Sequence, residues 1–186
     1  MFRITEPSEQ DAVEFVSGQR NLQFTYDEVG ATNGKLPTGY NVDHNRIQVG
    51  AGKAVYETGV EALKNWDHFD LGWVTIVPRG VPVEVGATVA VKARAFGTWS
   101  LNASCVVYTI DEERRFGFAY GTLPDHVERG EERFLIEWCH DDSVWYDILA
   151  FSHPRHPLVR LNKPLARRLQ KQFARDSLSR IREICG

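Results

Sequence analysis

Between residues 72 and 151 the chain reads as six strand-forming segments joined by links too short to carry a crossover, and this succession restricts the fold more than any other feature. Alternating and β-branched patterning predicts strands over 72–77, 83–96, 99–110, 116–121, 127–139 and 144–151. Asp111-Glu112-Glu113 and His140-Asp141-Asp142 are two of the links. A parallel neighbour needs a connection of about a dozen residues, so these strands must pair antiparallel. Ser152-His153-Pro154 then breaks the sheet, and Pro164 opens a helix predicted to run to about residue 184. Ala166, Leu169, Phe173, Ser177, Ile181 and Ile184 form one stripe on it, with Arg167, Lys171, Arg175 and Arg182 mostly off the stripe. A long amphipathic helix that follows an antiparallel sheet buries its stripe by lying on that sheet.

Before residue 72 the pieces are smaller. Thr5 reads as the N-cap of a short helix that has Pro7 in its first turn and stops near Gly18. Leu22, Phe24 and Tyr26 alternate briefly, and the Gly- and Pro-containing stretch after Val29 is a loop that delivers Tyr40. Residues 41–49 read as a strand, and Gly50-Ala51-Gly52 turns into a helix over 53–66 whose Val55, Gly59, Ala62, Leu63 and Trp66 share one face. The resulting fold class is α+β, a curved antiparallel sheet gripping a long C-terminal helix. A bent sheet closed by one helix is not filled by its own side chains, so a cavity is expected. The outline resembles the helix-grip architecture of the START and Bet v 1-like superfamily, a likeness of fold and not of function. The alternative is a hot-dog fold, which wraps a sheet around a central helix; the long helix coming last disfavours it. The chain is expected to form a single domain over 1–186, with 1–23 a helical extension of the main body at 24–186.

The net charge of -3 is unevenly placed, with an acidic middle from Asp111 to Asp147 and a basic tail from Arg160 to Arg182. A basic helix face is ordinarily a solvated face; the sharper reading is attraction to a membrane surface or a protein partner. Nucleic acid is not expected, because the tryptophans lie among apolar strands and no aromatics interleave with the basic residues. Cys105, Cys139 and Cys185 are odd in number and without Cys-x-x-Cys spacing, which fits reduced thiols in a cytoplasmic setting. Acidic residues in place of an apolar run behind Met1 argue against a secretory leader. No metal and no cofactor is expected: the prolines keep His153 and His156 from a helical ligand spacing, and Gly50-Ala51-Gly52-Lys53 lacks the rest of a phosphate-loop motif.

Candidate chemistry concentrates in Phe116 to Phe134, reading FGFAYGTLPDHVERGEERF. Its first strand sets Phe116, Phe118 and Tyr120 on one face against Gly117, Ala119 and Gly121 on the other, and the bare face suits close approach by a ligand or by the helix. The return strand carries His126, Glu128, Glu131 and Glu132. Regular parity turns His126, Glu128 and Glu132 toward the same side as Phe134, Ile136 and Trp138, the expected concave face. A bulge at Gly130 would bring Glu131 inward in place of Glu128. An inward carboxylate is either paired, for instance with Arg46 or Arg94, or has its pKa raised. As an acid/base pair with His126 it would serve proton transfer; as a turn residue it would accept backbone hydrogen bonds. The serines lie in no nucleophile motif.

Several stretches together, VGAT (29–32), LPTGY (36–40), RIQVGAGKAVYETGVEALKNW (46–66), Gly72-Trp73, GFAYGTLPDHVERGEERF (117–134) and AFSHP (150–154), resemble the DUF1990 family, also called UPF0548. The resemblance covers roughly 24–173. It implies relatives of similar size in bacteria and plants, brings no established activity, and places Tyr120, Gly121, Thr122, Leu123, His126, Glu128, Gly130, Glu131, Glu132 and Phe134 among the family's hallmark positions.

The function expected from these observations is binding of a small apolar or amphipathic molecule between sheet and terminal helix. Tyr120, Gly121, Thr122, His126, Glu132, Phe134, Phe118, Trp99 and Tyr40 are the candidate ligand-binding residues, with Tyr146 a further wall. The alternatives are an enzyme of the cyclase, isomerase or hydratase type, with candidate acid/base residues His126, Glu128, Glu131 and Glu132, and an interaction module acting through the basic helix.

Overall fold

The computed structural model describes residues 2–156 and 163–186; Arg160, at the head of the basic tail, lies outside them. One antiparallel sheet dominates, built from β1 (Phe2–Arg3), β2 (Asn41–Ala51), β3 (Val74–Val77), β4 (Thr88–Ala95), β5 (Thr98–Glu112), β6 (Arg115–Thr122), β7 (Glu128–Trp138) and β8 (Ser143–Pro154). The strand order is β2-β8-β7-β6-β5-β4-β3. From β3 to β8 neighbours follow in sequence, while β2 joins out of sequence beside β8 at the edge. The short β1 pairs with the start of β5, where β6 does not reach, and was not legible as a strand. β8 runs on to Pro154, beyond the expected stop at Ser152. Its partner β2 has ended by then, so the proline withholds no ladder hydrogen bond on that side.

Among the described residues three α-helices complete the fold. α1 (Glu9–Gln19) starts at Ser8, and not at Thr5. Ser8 and Asp11 form a reciprocal capping box, which satisfies two first-turn donors that Thr5 could not reach. α1 buries Ala12, Phe15 and Val16 on the convex face against Val77, Ala90, Leu101, Ala103 and Leu123. α2 (Lys53–Lys64) and a 3-10 turn (Asp67–Phe69) enter the concave face. There Leu63, Trp66 and Phe69 pack with Phe118, Phe134, Ile136, Tyr146 and Ile148. Gly50 and Gly52 form the turn into α2, with Gly52 as its N-cap. The long α3 (Lys163–Cys185) lies across the concave side, as a helix-grip layout requires. Its second half is sealed into the core through Ser177 and Ile181, both fully buried. Its first half spans open space. α2 fills one end of the concave face and leaves the other empty.

Candidate functional site

The space under the first half of α3 is a cavity of about 980 Å³. Its floor follows from strand register. One row runs across four strands as Asp43, Ala150, Glu132 and Tyr120; the next runs as Asn41, Ser152 and Gly130. Ala150, Ser152 and Gly130 rise little above the sheet, and that is why the row stays open. Phe69, Trp73, Val91, Ala93, Leu169 and Phe173 make most of the apolar wall.

Three carboxylates enter this cavity. Glu132 accepts a hydrogen bond from the Tyr120 hydroxyl at 2.8 Å, and among the described residues no other is bonded to it. Burial raises its pKa to about 7, the Tyr120 bond opposing and the charge of Asp43 adding to the rise. Glu128 is 8 % exposed and its Oε2 has no partner among the described residues. Burial raises its pKa to about 7 as well, against the field of Arg167. Asp43 is held by both terminal nitrogens of Arg167, one at 2.6 Å, and Arg167 also donates to Gln170. The cation bonded to a cavity carboxylate is therefore Arg167, and the expected partners Arg46 and Arg94 are not. Both sit at even positions of strands whose odd positions face the cavity: Arg46 pairs with Glu137 at 2.6 Å and lies over Trp145, while Arg94 lies over Trp99.

The register of β7 with β8 is unbroken through Gly130, so no bulge intervenes there and Glu128 and Glu132 keep the concave side. Gly130 has φ +144°, and a Cβ there would collide with the carbonyl oxygen of Phe151. Glu131 points the opposite way. It is 2 % exposed on the convex face and accepts from Tyr26 Oη at 2.7 Å, Gly30 N at 2.7 Å, Thr32 N at 2.9 Å and Thr32 Oγ1 at 2.5 Å. Arg133, beside it, donates to Thr32 O and to Asp147, which also meets His44. Two adjacent glutamates thus serve different faces: Glu131 straps the 26–32 segment to the sheet, and Glu132 enters the cavity.

The remaining candidate residues divide by the same parity. Tyr120, Thr122, His126, Glu128 and Glu132 line the cavity. His126 Nδ1 lies 3.0 Å from Glu128 N and 3.1 Å from Glu128 O, so the backbone of Glu128 holds the ring. Burial lowers its pKa to about 4, so it is neutral at neutral pH and its ring is not bonded to Glu132. Thr122 Oγ1 accepts from Gly130 N at 3.0 Å and tethers the two strands. Phe118, Phe134 and Tyr146 are fully buried beside α2, in the filled end. Gly121, Trp99 and Tyr40 are away from the cavity. Gly121 is on the convex face, where Phe24 and Tyr26 press against it, so the segment that approaches the bare strand face comes from the N-terminal part and is neither ligand nor long helix. Trp99 lies under Lys92 and Arg94, and the Tyr40 ring packs on Phe151 while its hydroxyl donates to Glu28.

Sequence reasoning missed Asp43, Arg167, Trp73 and His68. Asp43 and Arg167 are 124 residues apart and no local signal pairs them. Trp73 is in the wall and donates to Asp176 of α3 at 2.8 Å. His68 is fully buried among Trp66, Phe69, Phe118 and Phe134, with neither ring nitrogen bonded among the described residues; burial lowers its pKa to about 3.

In fold, then, this is a helix-grip protein of the START and Bet v 1-like type with a cavity beneath its terminal helix. Solved structures of that type overlay it. A Thermus thermophilus protein, TTHA0849, aligns with TM-score 0.57 at 15% identity, covering 78% of this chain and 97% of that one. A START superfamily protein from Mycobacterium smegmatis gives 0.52 at 16%, covering 78% and 99%. Human STARD10 gives 0.50 at 13%, covering 97% and 80%. The chain belongs to the DUF1990 family, a domain of unknown function whose profile matches residues 25–180. Its relatives include UPF0548 proteins of Dictyostelium discoideum, 34% identical over 100% of this chain and 96% of that protein, and of Deinococcus radiodurans, 36% identical over 94% of each. The UPF0548 protein At2g17695 of Arabidopsis thaliana is 39% identical over 75% of this chain and 70% of its own length. No helix among the described residues is long and apolar enough to cross a membrane.

Proposed function

We propose that this protein binds a small apolar or amphipathic molecule in the cavity between its sheet and α3. The observation that carries this reading is the cavity of about 980 Å³, walled by Phe69, Trp73, Val91 and Phe173 and carrying polar groups along one row. Apolar walls supply affinity in proportion to the area they bury, and a few convergent polar groups orient one end of the ligand. Glu132, Tyr120 and Glu128 are those groups. Native mass spectrometry of freshly purified protein, followed by denaturing extraction, tests the reading. A reproducible extra mass of a few hundred daltons is the expected result, in line with the size of ligand such pockets take. A bare chain mass that stays bare after incubation with an extract of cellular lipids and metabolites would count against it.

One observation favours a second reading, an acid–base enzyme of the cyclase, isomerase or hydratase type. Glu132 has its pKa near 7, faces the cavity, and has one oxygen on the Tyr120 hydroxyl. A carboxyl poised near the working pH can both give and take a proton. Turnover with a limb near pH 7 that disappears in Glu132→Gln would establish this reading; turnover unchanged by that substitution would remove Glu132 from it.

A further inference from the structure

The polar row of the cavity is unbalanced in charge. Asp43 and Arg167 neutralise one another through two hydrogen bonds, and Arg167 spends a further donor on Gln170. Glu132 and Glu128 have no cation bonded to them among the described residues. They stand four residues apart on the same face of β7, about 13 Å along the strand by its rise per residue, and the one position between them on that face is Gly130, which has no side chain. Glu128, which lines the cavity, is more than nine-tenths buried; Ser152 is hydrogen-bonded to its carboxyl, and its Oε2 is without a partner among the described residues. Lys171 and Arg175 also border the cavity, but both are exposed on the outer side of α3.

A buried acceptor without a donor is costly, and a ligand that supplies the donor recovers that cost on binding. A carboxylate or phosphate ligand would bring a further negative charge against two carboxyls that have no bonded cation among the described residues. A neutral alcohol supplies one donor and no charge. An ammonium group supplies up to three donors and the missing positive charge, and its hydrogen bonds to carboxylates are of the stronger, charge-assisted kind. We infer that the cavity selects an amine, a primary or secondary ammonium group on an apolar body, with its nitrogen received by the carboxylate of Glu132 and the negative charge of Glu128 further along the same strand face adding to the attraction. This rests on the small-molecule reading above and names the chemical class of the ligand. Burial, which draws both carboxyls up toward about 7, marks how poorly the protein groups around them support their charge.

The test is isothermal titration of the full chain at pH 8 with three probes of one chain length: 1-aminooctane, 1-octanol and octanoate. The amine should bind about tenfold or more tightly than the alcohol, a factor that one charge-assisted contact supplies, and octanoate should bind least. In the double variant Glu128→Gln, Glu132→Gln the advantage of the amine over the alcohol should vanish. Amine and alcohol binding alike in the native protein would overturn the amine assignment and leave the cavity reading standing. So would octanoate binding tightest, which would hand selection to Lys171 and Arg175. Binding of none of the three would overturn the small-molecule reading together with the assignment.

Discussion

Glu131 and Glu132 are neighbours in sequence and opposites in environment, and their substitutions should part accordingly. Glu131→Ala removes the acceptor of four hydrogen bonds and strands Tyr26 Oη, Gly30 N and Thr32 in a buried site. With about 1–3 kcal/mol for each buried donor left unmade, the loss should reach at least about 3 kcal/mol in a urea melt. Glu132→Gln keeps the acceptor for Tyr120 and removes a charge that burial disfavours, so at pH 8 its midpoint should equal or exceed that of the native protein. A melt in which the Glu132 variant is the less stable of the two would contradict this division. The alternation of side chains along β7 made it legible that these residues face apart and that Glu128 and Glu132 share the side of Phe134. It did not make legible that Glu131 would be satisfied, because its partners come from a segment with no periodicity.

At the scale of elements the return from β6 to β7 depends on backbone that only glycine tolerates. Gly130 has φ +144° with the Phe151 carbonyl directly where a Cβ would stand, and its N–H is tied to Thr122. Gly130→Ala should therefore destabilise by at least about 2 kcal/mol, from backbone strain and displacement of β8, and the loss is measured by the same melt. A cost below about 0.5 kcal/mol, the range of neutral surface changes, would show that the strand adjusts freely. The motif around Gly130 was visible as an interruption, and the bulge it could have signalled is not formed: the strand absorbs the glycine within an unbroken register. Helix positions were legible from their stripes, but the start of α1 was not. Thr5 and Ser8 are both good capping residues, and the choice fell to Ser8 because Asp11 three residues later closes the reciprocal bond.

For the whole molecule, buried titratable groups predict how stability varies with pH. Glu128 and Glu132 rise from 4.5 to about 7 on folding, so the folded state holds their protons more tightly, and the stability this confers is lost as pH rises through 7. His68 and His126 fall from 6.5 to about 3 and about 4, so the unfolded chain takes up protons first and stability is lost as pH drops below 6.5. Between 4.5 and 6.5 the two effects oppose one another. The expected profile is a plateau over that window, a decline from 6.5 through about 7 that then levels off, and a steeper decline below 4.5, where Asp11, whose pKa the Ser8 hydrogen bonds hold at about 2, adds to the loss. Thermal midpoints across pH 3–9 check it. Glu128→Gln and Glu132→Gln should remove the decline around pH 7, and His68→Leu should soften the acid side; a profile highest at pH 8 and unaffected by these changes would refute it.

The sequence by itself determined the succession of antiparallel strands, the gripping terminal helix and the sharing of one strand face by Glu128, Glu132 and Phe134. Each of these depends on periodicity over a few neighbouring residues, where the geometry of strand or helix dictates direction. Only the tertiary structure decided that α2 would fill one end of the concave face and leave a cavity at the other, that Arg167 would turn inward to Asp43, and that His68 would be sealed among aromatic rings. Those outcomes depend on which distant surfaces come to cover one another, and no local pattern encodes a contact between residues 43 and 167.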